Sequence, residues 1–370
     1  MKNIRILYLI ACFQALPLLP NAQNLWKGYE NLFQPVRNYV VYQPTDPIVI
    51  DGKATESSWG KALWSDAFVD IEGSVKPNPT YPTKVKMLWD KHYLYLLAEL
   101  EEPNIWAYYQ QHDQIVYHEN DFEVFIDPDC DSYNYFEFEL NAANTLFDLF
   151  LPKPYRNGGK PLLTWDAKDF KSAVSIDGTI NNPNDRDKKW TVEIAIPFES
   201  LQSETITTQI PGDGEIWKID FSRVEWQTSI VDGRYQKKKD ETSGKPLNEN
   251  NWVWNATGEI NMHVPERWGM LQFSEKPVNT GKVKFQMPEE EELKKILRLV
   301  YYKQNDFRTT NKQFATNLAQ LAIPEMINLD SGKKIKLSLS TSGDQFSASL
   351  TTDDDQAFTI NESGQLEIVI

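Results

Sequence analysis

Cysteine is nearly missing from this chain: 370 residues hold two, Cys12 and Cys130. Cys12 lies in a stretch that reads as a removable leader, which leaves Cys130 alone and excludes an internal disulfide, so stability has to come from a hydrophobic core. Positive charge is short as well. Against 53 Asp and Glu stand 38 Lys and Arg, a net charge of −15, and loss of Lys2 and Arg5 with the leader takes it to −17. Nucleic acid and anionic membranes both require a basic face, so neither is an expected partner. No apolar run beyond the leader is long enough to span a membrane. The histidines are few, and His92, His112, His118 and His263 show no close metal-pair spacing, so each reads as a surface or internally satisfied residue. Long helical periodicity is absent between Tyr39 and Phe273, which argues against a parallel α/β sheet.

The leader is expected over residues 1–22. Lys2 and Arg5 form a basic start, Ile6 to Leu19 is mostly apolar, and Pro20-Asn21-Ala22 ends in a small residue before Gln23. Leu9-Ile10-Ala11-Cys12 supplies the alternative, a lipoprotein-type cleavage at Cys12. Either form implies export to the periplasm, the cell surface or the medium.

From Tyr39 to Phe273 the chain is a series of short alternating or apolar runs, among them Lys84 to Trp89, Tyr93 to Glu99, Trp190 to Ile196 and Ile216 to Trp226, separated by Gly, Pro, Asn and Asp clusters. The fold class this predicts is an all-β antiparallel β-sandwich over residues 40–273. Pro277 to Pro288 reads as part of a linker over 274–288. Residues 289–370 then read as a small C-terminal α+β module, with helices over Glu289 to Val300 and Asn311 to Leu321 followed by three strands. Leu293, Ile296, Leu297 and Val300 make one apolar helix face, and the charged remainder reads as solvated surface.

The most informative segment is Tyr117 to Asn141. Side chains change face at every residue of a strand, so Phe122, Val124 and Ile126 oppose Asp121, Glu123 and Phe125, while Phe136, Phe138 and Leu140 oppose Tyr135, Glu137, Glu139 and Asn141. A hairpin loop at Asp127 to Asn134 would set the two polar rows side by side. Carboxylates and amides on a sheet face near aromatics suit polyol recognition, since a sugar ring offers an apolar face and a rim of hydroxyls. The same glutamates also read as a solvated face. Within the loop, Asp127, Asp129 and Asp131 have the i, i+2, i+4 spacing of the first part of a calcium loop, without the Gly and distal Glu of an EF-hand; a plain acidic turn is the alternative. Arg223 and Glu225 share a strand face, as a structural pair or as an extension of the site. The long polar loops 152–161 and 181–189 read as binding rims.

Ile50-Asp51-Gly52-Lys53 followed by Trp59, Leu88-Trp89-Asp90 with Leu94-Tyr95, Asn120 to Asp127, Trp190 to Pro197 and the closing Arg267-Trp268-Gly269 occur together and in order. In these landmarks the chain resembles carbohydrate-binding module family 9, over about residues 40–273. The resemblance implies a β-sandwich that clamps a terminal sugar between two aromatics, with calcium serving structure. It places Glu123 at a sugar-contacting carboxylate and Asn141 at a polar contact on the next strand. Glu139 stands where the family has a basic contact, which changes the hydroxyls that can be satisfied. For the first stacking aromatic it offers Tyr117 and His118; for the second, Trp254, with Trp252 beside it. Core packing is the other reading of both tryptophans.

The function expected is therefore that of an exported, non-catalytic carbohydrate-binding protein that serves polysaccharide or oligosaccharide capture and breakdown, in association with polysaccharide-degrading enzymes. The alternatives are a glycoside hydrolase or lyase using Glu123 and Glu139, and a surface scaffold whose C-terminal module docks a partner.

Overall fold

The computed structural model describes residues 25–203, 210–329, 332–354 and 356–369. The expected leader, with Cys12, lies outside them. Among the described residues, no helix is long and apolar enough to cross a membrane.

Alternating runs become strands: β1 (Asn38–Gln43), β2 (Val69–Asp70), β3 (Thr83–Trp89), β4 (Tyr93–Glu101), β5 (Asp121–Asp127), β6 (Tyr135–Asn141) and β7 (Leu146–Leu151). After them come β8 (Lys171–Asp177), β9 (Lys189–Pro197), β10 (Ile216–Glu225), the short hairpin β11 (Thr228–Val231) and β12 (Arg234–Lys237), β13 (Asn250–Val253) and β14 (Gly269–Pro277). Twelve of these form one sheet in the order β7-β6-β5-β10-β14-β1-β3-β4-β9-β8, with β13 beside β10 and β2 beside β13. The sheet curls until Phe122, Val124, Phe136 and Phe138 share one buried cluster with Met87, Trp89, Leu94 and Leu96 from its other half. The pairing is not wholly antiparallel, as had been expected: β1 runs parallel to both β14 and β3. Side-chain alternation is the same in either direction, so the sequence pattern carries no sign of it.

The landmarks of the sequence meet in this fold. Glu193 on β9 accepts the main-chain N–H groups of Asp51 at 3.0 Å and Gly52 at 3.1 Å, and the Trp59 indole N–H at 2.8 Å. Gly52 lies against the main chain of Val174 and Ser175, where an added Cβ would come within 2.8 Å. Trp268 donates to Met262 O at 2.7 Å. An added Cβ on Gly269 would stand 2.4 Å from Cζ3 of Trp254.

The segment expected as a free linker stays on the sheet. Val278 N–H donates to Gln43 O and Val283 N–H to the Tyr42 hydroxyl, each at 2.8 Å, and Gln286 N–H donates to the Gln272 side chain at 2.7 Å. With α1 the short turn Ser57–Lys61, the next helix is α2, Glu290–Asn311, twice the length expected. The second helix expected over Asn311 to Leu321 is absent. Lys312 adopts a left-handed conformation that ends α2, Gln304 holds Ala315 through both main-chain groups, and only a 3-10 turn forms at Leu318–Leu321. Strands β15 (Met326–Asn328), β16 (Lys334–Ser342), β17 (Gln345–Thr352), β18 (Ala357–Asn361) and β19 (Leu366–Val369) then make a five-stranded antiparallel sheet. Leu293, Ile296, Leu297 and Val300 pack on this sheet as expected.

The charged part of α2 is not a solvated face. Glu291 pairs with Lys218 of β10 at 3.2 Å, both buried. Arg298 donates to Ser132 Oγ at 2.8 Å, and the Tyr301 hydroxyl donates to the Asn157 side chain at 2.6 Å. The helix therefore docks against the larger sheet and two of its loops.

Candidate functional site

The two polar rows lie side by side. In the β5–β6 register Asp121 faces Asn141, Glu123 faces Glu139 and Phe125 faces Glu137, while the apolar partners point into the core. The row is not a solvated face: Glu123, Glu137 and Glu139 are all buried. They form one side of a cleft of about 520 Å³, widened by Phe147 and Leu149 of β7, Val224 of β10 and Asn251 of β13. That volume falls in the range of small-ligand sites, roughly 300–1,000 Å³. Two tyrosines stand at the cleft with rings exposed to solvent, Tyr117 at 41% and Tyr155 at 42%. Tyr117 is held through its main chain, its N–H donating to Glu139 at 3.3 Å and its carbonyl accepting the Trp226 indole N–H at 2.9 Å. Tyr155 packs edge-on against His263, ring centres 4.4 Å apart, and His263 meets the Tyr135 hydroxyl at 3.0 Å.

The lining holds Glu123, Glu137, Glu139 and Glu249 but neither lysine nor arginine. Burial, and then mutual repulsion, push the carboxyls of Glu137 and Glu139 well up, and burial with the nearby Glu249 raises Glu123 to about 7. Burial alone lowers His263 to about 4, so it is neutral. Burial therefore biases the floor toward the protonated carboxyl form. A protonated carboxyl donates as well as accepts, which restores the donor that a basic residue at position 139 would have given. One oxygen each of Glu137 and Asp121 is buried and without a hydrogen-bond partner among the described residues.

A family model described as carbohydrate family 9 binding domain-like matches residues 50–276, more than half of the chain. The chain belongs to this family. Endo-1,4-beta-xylanase C of Paenibacillus barcinonensis is 27% identical over 155 residues, which is 42% of this chain and 12% of that protein. The chain thus spans about an eighth of the length of the curated relative it matches. Among solved structures, a carbohydrate binding module family 9 from Caldicellulosiruptor kristjanssonii in complex with cellotriose is similar at 16% identity and a TM-score of 0.41, covering 66% of this chain and 99% of that one. A putative carbohydrate-binding protein from Bacteroides uniformis is similar at 15% identity and a TM-score of 0.46, covering 65% of this chain and 100% of that one.

Of the residues that the family resemblance pointed to, Tyr117, Glu123 and Glu139 come together in the cleft. The others do not. Asn141 is fully buried and fully used: its amide donates to Tyr109 O and to Glu119, and its oxygen accepts from Ala143 N–H and Thr145 N–H at 3.0 Å each. His118 meets the Tyr117 ring edge-on but does not line the cleft. Trp252 and Trp254 belong to the core, at 5% and 1% exposure, so the core reading of both holds in place of the stacking one. Arg223 lies on the opposite face of β10 from Ser222, the residue in register with Glu123, and bridges Glu102 and Glu225 at 2.8 Å each. It is a buried structural pair, under Tyr81 and Trp252.

Asp127, Asp129 and Asp131 offer carboxylate oxygens within 4.8 Å of one another. Both oxygens of Asp127 already accept main-chain N–H groups, from Cys130 at 3.0 Å and Ser132 at 2.9 Å, and Asp131 accepts from Tyr133 N–H at 2.6 Å. These are bonds of an acidic turn, and they engage Asp127 and Asp131.

The cleft residues that sequence reasoning missed are Tyr155, Glu249, Asn251 and His263. Tyr155 had a signal, since it sits in the polar loop 152–161 read as a rim. For His263 there was none.

Proposed function

We propose that this protein binds a neutral or amino-bearing carbohydrate in the cleft between Tyr117 and Tyr155, without cleaving it. The observation that carries the reading is the pairing of two solvent-facing tyrosines with a floor of buried carboxyls and, among the described residues, no basic residue. The tyrosines supply plates for the apolar face of a pyranose, and the carboxyls supply donors and acceptors for its hydroxyls. With no cation to neutralise them, uronate and sulfated sugars would add negative charge beside buried acids, so they are excluded. Membership of a carbohydrate-binding family supports the ligand class. Export, a sandwich architecture of the family kind and service to polysaccharide-degrading enzymes complete the proposal.

The match to a family of binding domains supports binding over hydrolysis. Calcium at Asp127, Asp129 and Asp131 would brace the loop rather than touch the sugar, and a calcium titration followed by melting temperature tests that role.

The decisive experiment is calorimetric titration with neutral, amino and acidic oligosaccharides, with products checked by mass. Saturable binding of neutral or amino sugars, unaltered in mass, is expected, with Tyr117→Ala and Tyr155→Ala each weakening it about three- to tenfold. Cleavage of a glycan would replace this reading with the hydrolase one. Preferential binding of acidic sugars would refute the charge argument.

A further inference from the structure

On the far side of β7 from the cleft, three separate segments bring together His112, Asp113, Asp148 and Asp166. One ligand atom from each lies within 4.8 Å of all the others. His112 and Asp113 come from the loop before β5, Asp148 from the middle of β7, and Asp166 from the loop before β8. From His112 Nε2 the carboxylate oxygens stand at 2.7 Å for Asp166, 3.4 Å for Asp113 and 3.8 Å for Asp148.

Asp148 distinguishes this group from an ordinary cluster of surface acids. It is completely buried, and Oδ2 is fixed by the main-chain N–H of Ala167 at 2.7 Å. That bond turns Oδ1 toward His112, 3.8 Å away, where it is buried and has no hydrogen-bond partner among the described residues. A buried carboxylate oxygen left unpartnered is costly, and a cation is the partner that three carboxylates and an imidazole would share. Hard ions such as calcium take oxygen ligands only, whereas one imidazole nitrogen with carboxylate oxygens is a donor set suited to zinc and its neighbours. The outward sides of His112, Asp113 and Asp166 are open to solvent, which gives the ion an entry path and room for water ligands.

The geometry points to a divalent transition-metal site, of the zinc class, formed by His112, Asp148 and Asp166 with Asp113 in reach. The ion takes the place of the proton that His112 Nε2 shares with Asp166. It ties the loop before β5 and the loop before β8 to β7, the end strand of the sheet, and it uses the face of β7 that the carbohydrate does not.

The test uses the full chain, stripped with a chelator and titrated with Zn²⁺ by calorimetry, and with Co²⁺ by visible absorption. One saturable equivalent of Zn²⁺, a Co²⁺ ligand-field band and a higher melting temperature with metal are expected. His112→Gln and Asp148→Asn should each weaken Zn²⁺ binding at least about tenfold, the lower end of what even an outer-shell change costs a metal site. His112 is half exposed, so its replacement leaves the fold intact and keeps the result interpretable. Absence of saturable binding, or binding unchanged in His112→Gln, would overturn the site, as would tighter binding of Ca²⁺ than of Zn²⁺. Carbohydrate titrations are independent of each of these outcomes.

Discussion

Trp254 was the residue that the family pattern offered as a sugar platform, and its position shows what a motif can conceal. Two tryptophans at i and i+2 share a strand face, but spacing does not say which face, and here it is the inward one. Trp254 packs against Gly269, with no room for a side chain between them. Trp254→Ala is expected to cost about 3–5 kcal/mol of stability, the usual range for an emptied core tryptophan. Gly269→Ala should destabilise as well, by overpacking. Chemical denaturation would measure both, and the fraction that stays folded should bind sugar with unchanged affinity. Glu123 makes the opposite case: a residue whose place in the polar row was legible but whose burial was not. It is buried, opposite Glu139 and Ser222 in register, and shares the cleft with Glu137, Glu249, Tyr117 and Tyr155. Its folded-state value near 7 stands above the ordinary 4.5. The proton is therefore held more tightly in the folded protein than in the unfolded one. The contribution of Glu123 to stability is complete below about pH 4.5 and is lost as the pH rises through 7. Melting temperature should fall across that window, and Glu123→Gln should flatten the fall.

At the scale of elements, strands were legible because one-sided burial writes a period of two into the sequence. The β5–β6 hairpin appears in the register expected of it, and so does the apolar face of α2. Direction and continuation were not legible. Alternation is blind to whether β1 runs parallel or antiparallel to its neighbours. The second helix expected from Asn311 onward was a propensity reading, overridden by the left-handed Lys312 and by the hold of Gln304 on Ala315. The His112 group stayed hidden for a related reason. Of its partners only Asp113 is adjacent in sequence, and the other two arrive through β7 and a later loop, so spacing rules that look for paired histidines pass over it. Tyr155 could have been found, since its loop was already marked as a rim; the sequence had no means of showing that the loop reaches the same cleft as Tyr117.

For the molecule as a whole, the C-terminal sheet and α2 are not an appendage. Tyr301 bonds Asn157, Arg267 donates to the Tyr302 hydroxyl at 3.0 Å, and Ser363 O accepts from both Tyr133 and Asn157. Asn157 closes the short turn that begins at Tyr155, so the small module sets the position of a residue in the cleft. The surface it covers is mixed: Lys218, Arg156, Glu266 and Arg267 are polar, while Leu25, Trp26, Tyr29 and Phe33 of the N-terminal segment join its apolar cluster. Deletion of residues 285–370 is expected to lower the melting temperature and to weaken carbohydrate affinity several-fold, as ordering Tyr155 then draws on binding energy. Calorimetry on the shortened chain measures the loss. Affinity equal to that of the full chain would mean that the Tyr155 turn is held by its own larger sheet.

The placement of β1 also sets a timetable. The first strand of the sheet lies between β3 and β14, and its pairing with β3 is a single position, Tyr42 with Leu88, whereas four consecutive positions from Asn38 to Val41 match β14. A chain emerging from a ribosome makes residue 38 long before residue 269, so β1 waits through most of synthesis for its principal partner. The two halves of the sheet are joined only when β14 arrives, and completion of this fold is a late event in the life of the chain.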